Sequence, residues 1–168
     1  MPQMKPRSAS SSTNGEEARR LAEQLRNAFE GEAWHGPALL ELLADVDAAT
    51  AAAHPLPGVH SIWELVLHIA AWDDAVNRRI ALGKALQLND AENFPPVNDP
   101  SPAAWKQAIE HGNKTHGSLL KTVEALPDPR LGEQVPGKKY DIRFMLEGVA
   151  QHELYHAGQI AILKKARS

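Results

Sequence analysis

Residues 150–168 read AQHELYHAGQIAILKKARS. Inside this stretch, His152-Glu153-Leu154-Tyr155-His156 forms H-E-x-x-H, a pattern in which two imidazoles on one helical face bind zinc and the glutamate acts as base. On a helix, side chains four residues apart share a face, with Cβ atoms roughly 5–6 Å apart. Two imidazoles so placed can meet one metal ion at roughly 2.0–2.1 Å. A catalytic zinc ion takes a third protein ligand and keeps one position open. In H-E-x-x-H peptidases that ligand lies downstream of the motif. Here the downstream residues are AGQIAILKKARS, with no His, Asp or Glu among them. A zinc peptidase therefore remains only a remote alternative. What survives is H-x-x-x-H, two ligands one turn apart that need a partner from upstream.

His68 is the best upstream candidate, against the plainer reading of a core histidine hydrogen-bonded to a carbonyl or a tyrosine. It lies in SIWELVLHIAAWDDAV (61–76), where its angular neighbours at roughly 100° per residue are Leu65, Trp72, Ala75 and Arg79. It thus borders an apolar face, where an imidazole without partners is costly to desolvate. Asp73 and Asp74 follow; either could orient a ligand, but a solvated turn is the plainer expectation. Trp72 and Trp105 read as core. His116 lies on an apolar stripe and reads as a satisfied core residue or a pocket wall. His60 precedes a helix cap and could close the helix end, while His35, His54 and His111 read as loop or surface residues.

The surrounding chain reads as helices. Residues 16–30 space Leu21, Leu25 and Phe29 at helical intervals. A second helix is expected from Pro37 to about His54, with a core face of leucines and Val46. HPLPGVH (54–60) is a loop. Ser61 with Glu64 is a capping box that opens a helix over residues 62–82, and Gly83 stands near its end. The connection 87–102 contains four prolines. Ser101-Pro102 then starts a helix to about Leu126, and Asp141 caps the last one, whose Lys164 and Lys165 suit a C-terminal dipole.

The 168 residues suit one domain: 1–15 as a polar, Ser-rich disordered tail and 16–168 as the folded unit. A net charge of −3 leaves no basic footprint for nucleic acid, and no apolar run reaches membrane-spanning length. The first fifteen residues carry no apolar core of a secretory signal, so a cytoplasmic location is expected. With no cysteine and eight histidines, a metal site must use His, Asp or Glu, and a cysteine nucleophile is excluded.

ELVLHIAAWDD (64–74) followed by HELYHAGQI (152–160) resembles the DinB-like superfamily, and particularly its YfiT-like members; AWHGPALLELL, GVHSIWEL and YHAGQIAILKK fit as well. The resemblance covers about residues 18–166. It implies an all-α four-helix bundle, here with an extra short N-terminal helix, and a divalent metal, zinc or nickel, held by His68, His152 and His156. It also implies a homodimer. Members of the family include S-transferases that use a low-molecular-weight thiol and metal-dependent hydrolases, so a small-molecule substrate is expected. A non-catalytic metal-binding or dimerisation bundle fits the same residues. The family pattern does not require glutamate after the first histidine of H-x-x-x-H.

Three residues stand near enough to a metal ligand to move protons. Glu153 lies roughly 80° around the helix from the mean histidine direction, Tyr155 about as far on the other side, and Gln159 roughly 40° away. The plainer expectation for Glu153 is a surface carboxylate or a salt-bridge partner, and for Tyr155 a packing residue with a wet hydroxyl.

Overall fold

The computed structural model describes residues 15–166. The tail expected over residues 1–15 lies, apart from Gly15, outside them. The long helices begin where their caps are written. Ser61 Oγ accepts from the Glu64 N–H while the Glu64 carboxylate takes the Ser61 N–H at 2.7 Å, which opens α4; α1 to α7 are numbered below in chain order. The chain runs α1 (Glu16–Phe29), α2 (Leu39–Leu43), α3 (Ala48–Ala52), α4 (Ile62–Leu82), α5 (Asp90–Asn93), α6 (Pro102–Glu124), a 3₁₀ turn (Asp128–Gly132) and α7 (Ile142–Lys165). Ser101 caps α6 at Ala104 with Pro102 in the first turn, and Asp141 caps α7 at Phe144. Gly83 ends α4 at φ +59°, a left-handed conformation that glycine adopts without the Cβ penalty.

The expected all-α architecture is present, and no strand forms among the described residues. The helix expected from Pro37 to His54 is two five-residue helices instead. Asp47 makes the break: its carboxylate accepts from the Thr50 N–H at 2.7 Å and starts α3 afresh. The carbonyl of Val46, in that break, accepts from Trp105 Nε1 at 2.8 Å. Trp105 is core, as expected.

α4 packs lengthwise against both α6 and α7, and α1 lies along the same two helices. Their core has two apolar halves. Leu25, Val76, Leu119, Val123, Leu146 and Val149 belong to one. Phe29, Ile62, Trp63, Ile69, Trp105 and Ile160 belong to the other. Toward the middle of each long helix stand buried polar residues, His68 and Asp73 on α4, Thr115 and His116 on α6, and Glu153 and His156 on α7; Arg79 is buried further along α4, beside Val76 and Ile80. The bundle therefore carries a polar layer at mid-height. Among the described residues, no helix is long and apolar enough to cross a membrane.

Candidate metal centre

His68 from α4 and His152 and His156 from α7 meet in that layer. The Nε2 of His152 lies 2.9 Å from the Nε2 of His68 and 3.0 Å from the Nε2 of His156. His68 and His156 are buried and His152 is half-buried. The one-turn spacing of H-x-x-x-H brings the two α7 rings together, at 4.4 Å between centroids.

The outer nitrogens fix the tautomers. His68 Nδ1 donates to the backbone carbonyl of Asn93 at 2.6 Å, and His156 Nδ1 donates to Gln159 Oε1 at 2.6 Å. A neutral imidazole has one N–H. Both rings thus aim a bare Nε2 lone pair at His152. Any single hydrogen on His152 Nε2 cannot serve both well, whereas a cation accepts all three lone pairs at once. The residues fit a divalent ion. Each outer bond is also the kind of contact that orients a metal-binding histidine.

The electrostatics keep these rings neutral, the form that binds a metal. Burial, then repulsion by His156 and His68, pushes His152 down to about 3. Burial also lowers His68, against the Asn93 bond and with help from His156 and His60. It lowers His156 as well, where the Gln159 bond opposes it.

The connection over 87–102 closes one side of the centre. Asn89 caps α5 at Glu92, and α5 presents Asn93 and Phe94 to α4. Asn93 accepts twice, from His68 on its carbonyl and from Trp72 Nε1 on Oδ1 at 2.8 Å. The Phe94 ring stacks on His68 at 4.0 Å and on His60 at 3.9 Å. Neither Asn93 nor Phe94 stands out in the sequence. The available signal is the capping box Asn89-x-x-Glu92, which marks a short helix within the connection.

Other candidates fall elsewhere. Gln159 Oε1 accepts from His156 Nδ1, on the side of the ring away from His152. Tyr155 is 66% exposed, with its ring 5.1 Å from that of His156. Glu153 is not a surface carboxylate: it is 0% exposed and pairs with His116 Nδ1 at 3.2 Å. Asp73, expected on a solvated turn, is also 0% exposed and accepts from His116 Nδ1 at 3.2 Å. Asp74 stays near the surface beside Arg78. His116 also stacks on Phe29 of α1, 4.0 Å between ring centroids. The polar layer thus holds two neighbouring clusters, three histidines on one and Asp73, His116 and Glu153 on the other. Burial alone would lower His116, but the bonds and charges of Asp73 and Glu153 outweigh it and raise it to about 9. Burial, then the Asp73 charge, raises Glu153 to about 8.

His60 closes the start of α4 as expected, with Nδ1 3.4 Å from the Glu64 carboxylate; His54 reaches the same carboxylate at 3.1 Å. His35 and His111 are exposed. Trp72 is half-buried rather than core, its ring 6.2 Å from that of His152. It walls a cavity of about 240 Å³ together with Val76, Arg79, Phe144, Met145 and His152. A second cavity of about 340 Å³ meets the centre from the side of His156, Tyr155 and Phe94.

Fold and site together define an all-α bundle whose polar layer carries a three-imidazole donor set shared by two long helices. The family model described as the DinB superfamily matches residues 33–160, and the chain belongs to the DinB superfamily. Comparison with curated proteins and with solved structures returns no match.

Proposed function

We propose that this chain is a divalent-metal-dependent enzyme in which His68, His152 and His156 hold the ion, and that it transfers a low-molecular-weight thiol to a small electrophile. The convergence of three Nε2 atoms within 3.0 Å steps, two of them with fixed lone pairs, carries the reading. Imidazole donors suit zinc and nickel alike. Bound by three neutral ligands, such an ion keeps its full charge and acidifies a water or thiol presented to it. The protein contributes the rest. Asn93 and Gln159 hold two ligand rings in position, and Phe94 seals His68 from one side. The cavity beside His152 admits a small molecule, which favours turnover over a purely structural bundle. Because the chain has no cysteine, the thiol comes as a cosubstrate. Tyr155, exposed beside His156, is the group placed to exchange protons with solvent. We assign Glu153, fully buried beside His116, to that cluster rather than to proton transfer.

The test begins with metal content. The purified protein holds a divalent ion that is lost in His68→Ala and in His152→Ala; metal retained in both variants would end the three-histidine reading. A panel of thiols is then offered with an electrophilic chloro-dinitrobenzene. Conjugation that needs both metal and thiol supports transfer. Metal-dependent turnover of ester or amide substrates without thiol would replace it with hydrolysis.

A further inference from the structure

Arg79 is the one charge in the 240 Å³ cavity, and its surroundings do not balance it. It is 4% exposed, yet no carboxylate lies within ion-pair distance of it among the described residues. Its Nε and Nη2 both donate to the Leu86 carbonyl, at 3.1 and 2.7 Å. Its guanidinium lies over the Trp72 ring, 5.3 Å from the centroid. A carbonyl and an aromatic face are weak compensation for a buried cation, which ordinarily has a counter-charge. Nη1 makes no hydrogen bond to the protein among the described residues and keeps a small accessible surface from which it can meet a ligand. Besides Arg79, Tyr140 and His152, the cavity is walled by the apolar surfaces of Trp72, Val76, Phe144 and Met145. Trp72 neighbours both polar groups, with Arg79 over its ring and the His152 ring 6.2 Å away between centroids. Gly148, one turn before His152, also lines the cavity, and a Cβ built there would stand in open space.

We propose that this cavity binds a small amphiphilic anion, its carboxylate-like head on Arg79 and its apolar body along Trp72 toward His152. This deepens the reading of the three-histidine centre by naming the substrate class that reaches it, and it rests on that reading only for the turnover that follows binding. Guanidinium is suited to a carboxylate, which it meets with two parallel N–H groups. The volume lies below the roughly 300–1,000 Å³ of ordinary ligand sites. The ligand is therefore a compact aryl or alkyl acid rather than a nucleotide or a peptide.

The test is calorimetric titration of the full-length protein with 4-phenylbutyrate and with 4-phenylbutan-1-ol, as purified and after EDTA. The acid binds at least about tenfold more tightly than the alcohol, as a charge-assisted bond would give. The preference persists after EDTA and disappears in Arg79→Gln. Gly148→Leu, which fills the cavity and leaves Arg79 in place, weakens acid and alcohol together. Equal binding of the two probes, or no binding of either, overturns the proposal on the wild-type chain alone, whatever the stability of Arg79→Gln. A preference lost with EDTA overturns it too, since the acid would then sit on a metal; that result leaves the three-histidine reading standing. Conversely, loss of the three-histidine reading by metal analysis leaves the Arg79 preference to be read independently.

Discussion

Glu153 Oε1 lies 3.2 Å from His116 Nδ1, where neither side chain reaches solvent beyond 1% of its surface. The contact ties α7 to α6, and Asp73 adds α4 on the same nitrogen. Removing the cation beside the buried Asp73 and Glu153 leaves the Asp73 carboxyl without its charged donor, at a cost of about 3–5 kcal/mol. His116→Ala is therefore expected to lose that much in urea unfolding. Glu153 is raised to about 8, so it is largely protonated near neutral pH, and glutamine resembles that form. Glu153→Gln should cost only about 1 kcal/mol and retain its bound metal. Equal losses in the two variants would show that the cluster is not organised around His116.

Stability should peak near neutral pH. His116 is raised from 6.5 to about 9, so its contribution is complete below 6.5 and is lost as the pH climbs through 9. Glu153 acts in the same direction, since burial disfavours its charged form as the pH passes from 4.5 to about 8. The three-histidine group acts oppositely. His152 is lowered from 6.5 to about 3, so stability is lost as the pH falls below 6.5 and the unfolded chain takes up protons that the folded one refuses. Urea unfolding of metal-free protein across pH 5–9 tests this. A curve that keeps rising to pH 9 would contradict the charged state of His116, which NMR titration of its ring would also report.

The long helices were legible because their ends are chemical: Ser61 with Glu64, Ser101 with Pro102, Asp141, and Gly83 each act locally. His68 was legible because three of its four angular neighbours, Leu65, Trp72 and Ala75, are apolar. Glu153 was not, because an angle measured around one helix ignores how many neighbours that helix has. α7 meets α1, α2 and α4 and buries Val149, Glu153, Ala157 and Ile160 as well as His156, so a residue roughly 80° from the histidines still faces protein. Asp73 was misjudged the same way on α4, which packs against both α6 and α7. Asn93 and Phe94 come from a connection with no period to read. The break at Asp47 was hidden because apolar spacing continues across it, while a single carboxylate turns toward Thr50.

Gln159 should set metal affinity without touching the metal. Its Oε1 is the acceptor that holds the proton of His156 on Nδ1, at 2.6 Å, and so keeps Nε2 bare. Loss of such an orienting bond weakens metal binding by about 10–100-fold. Gln159→Leu should show that loss in competition with a chelator of known affinity, while Gln159→Glu, which keeps an acceptor, should stay near wild type. Identical affinities for Gln159→Leu and wild type would mean that His156 is oriented by packing alone.

The start of α1 is capped from across the chain. Its own N-cap, Gly15, has no side chain to offer, and the N–H groups of Glu17 and Ala18 donate instead to Asp128 at 3.3 and 3.0 Å. Asp128 sits in the 3₁₀ turn after α6, so the first helix is fastened to the last connection before α7. The bond supplies what a local Ser or Asp would supply, about 1 kcal/mol, and adds a charge favourable to the helix N-terminus. Asp128→Ala should lower stability by about 1–2 kcal/mol and speed hydrogen exchange in the first turn of α1, leaving metal content unchanged. Restoring a local cap with Gly15→Asp should recover little, because Gly15 holds φ +87°, a conformation costly for a residue with a Cβ. Full recovery by Gly15→Asp would show that the Asp128 bond is incidental to α1.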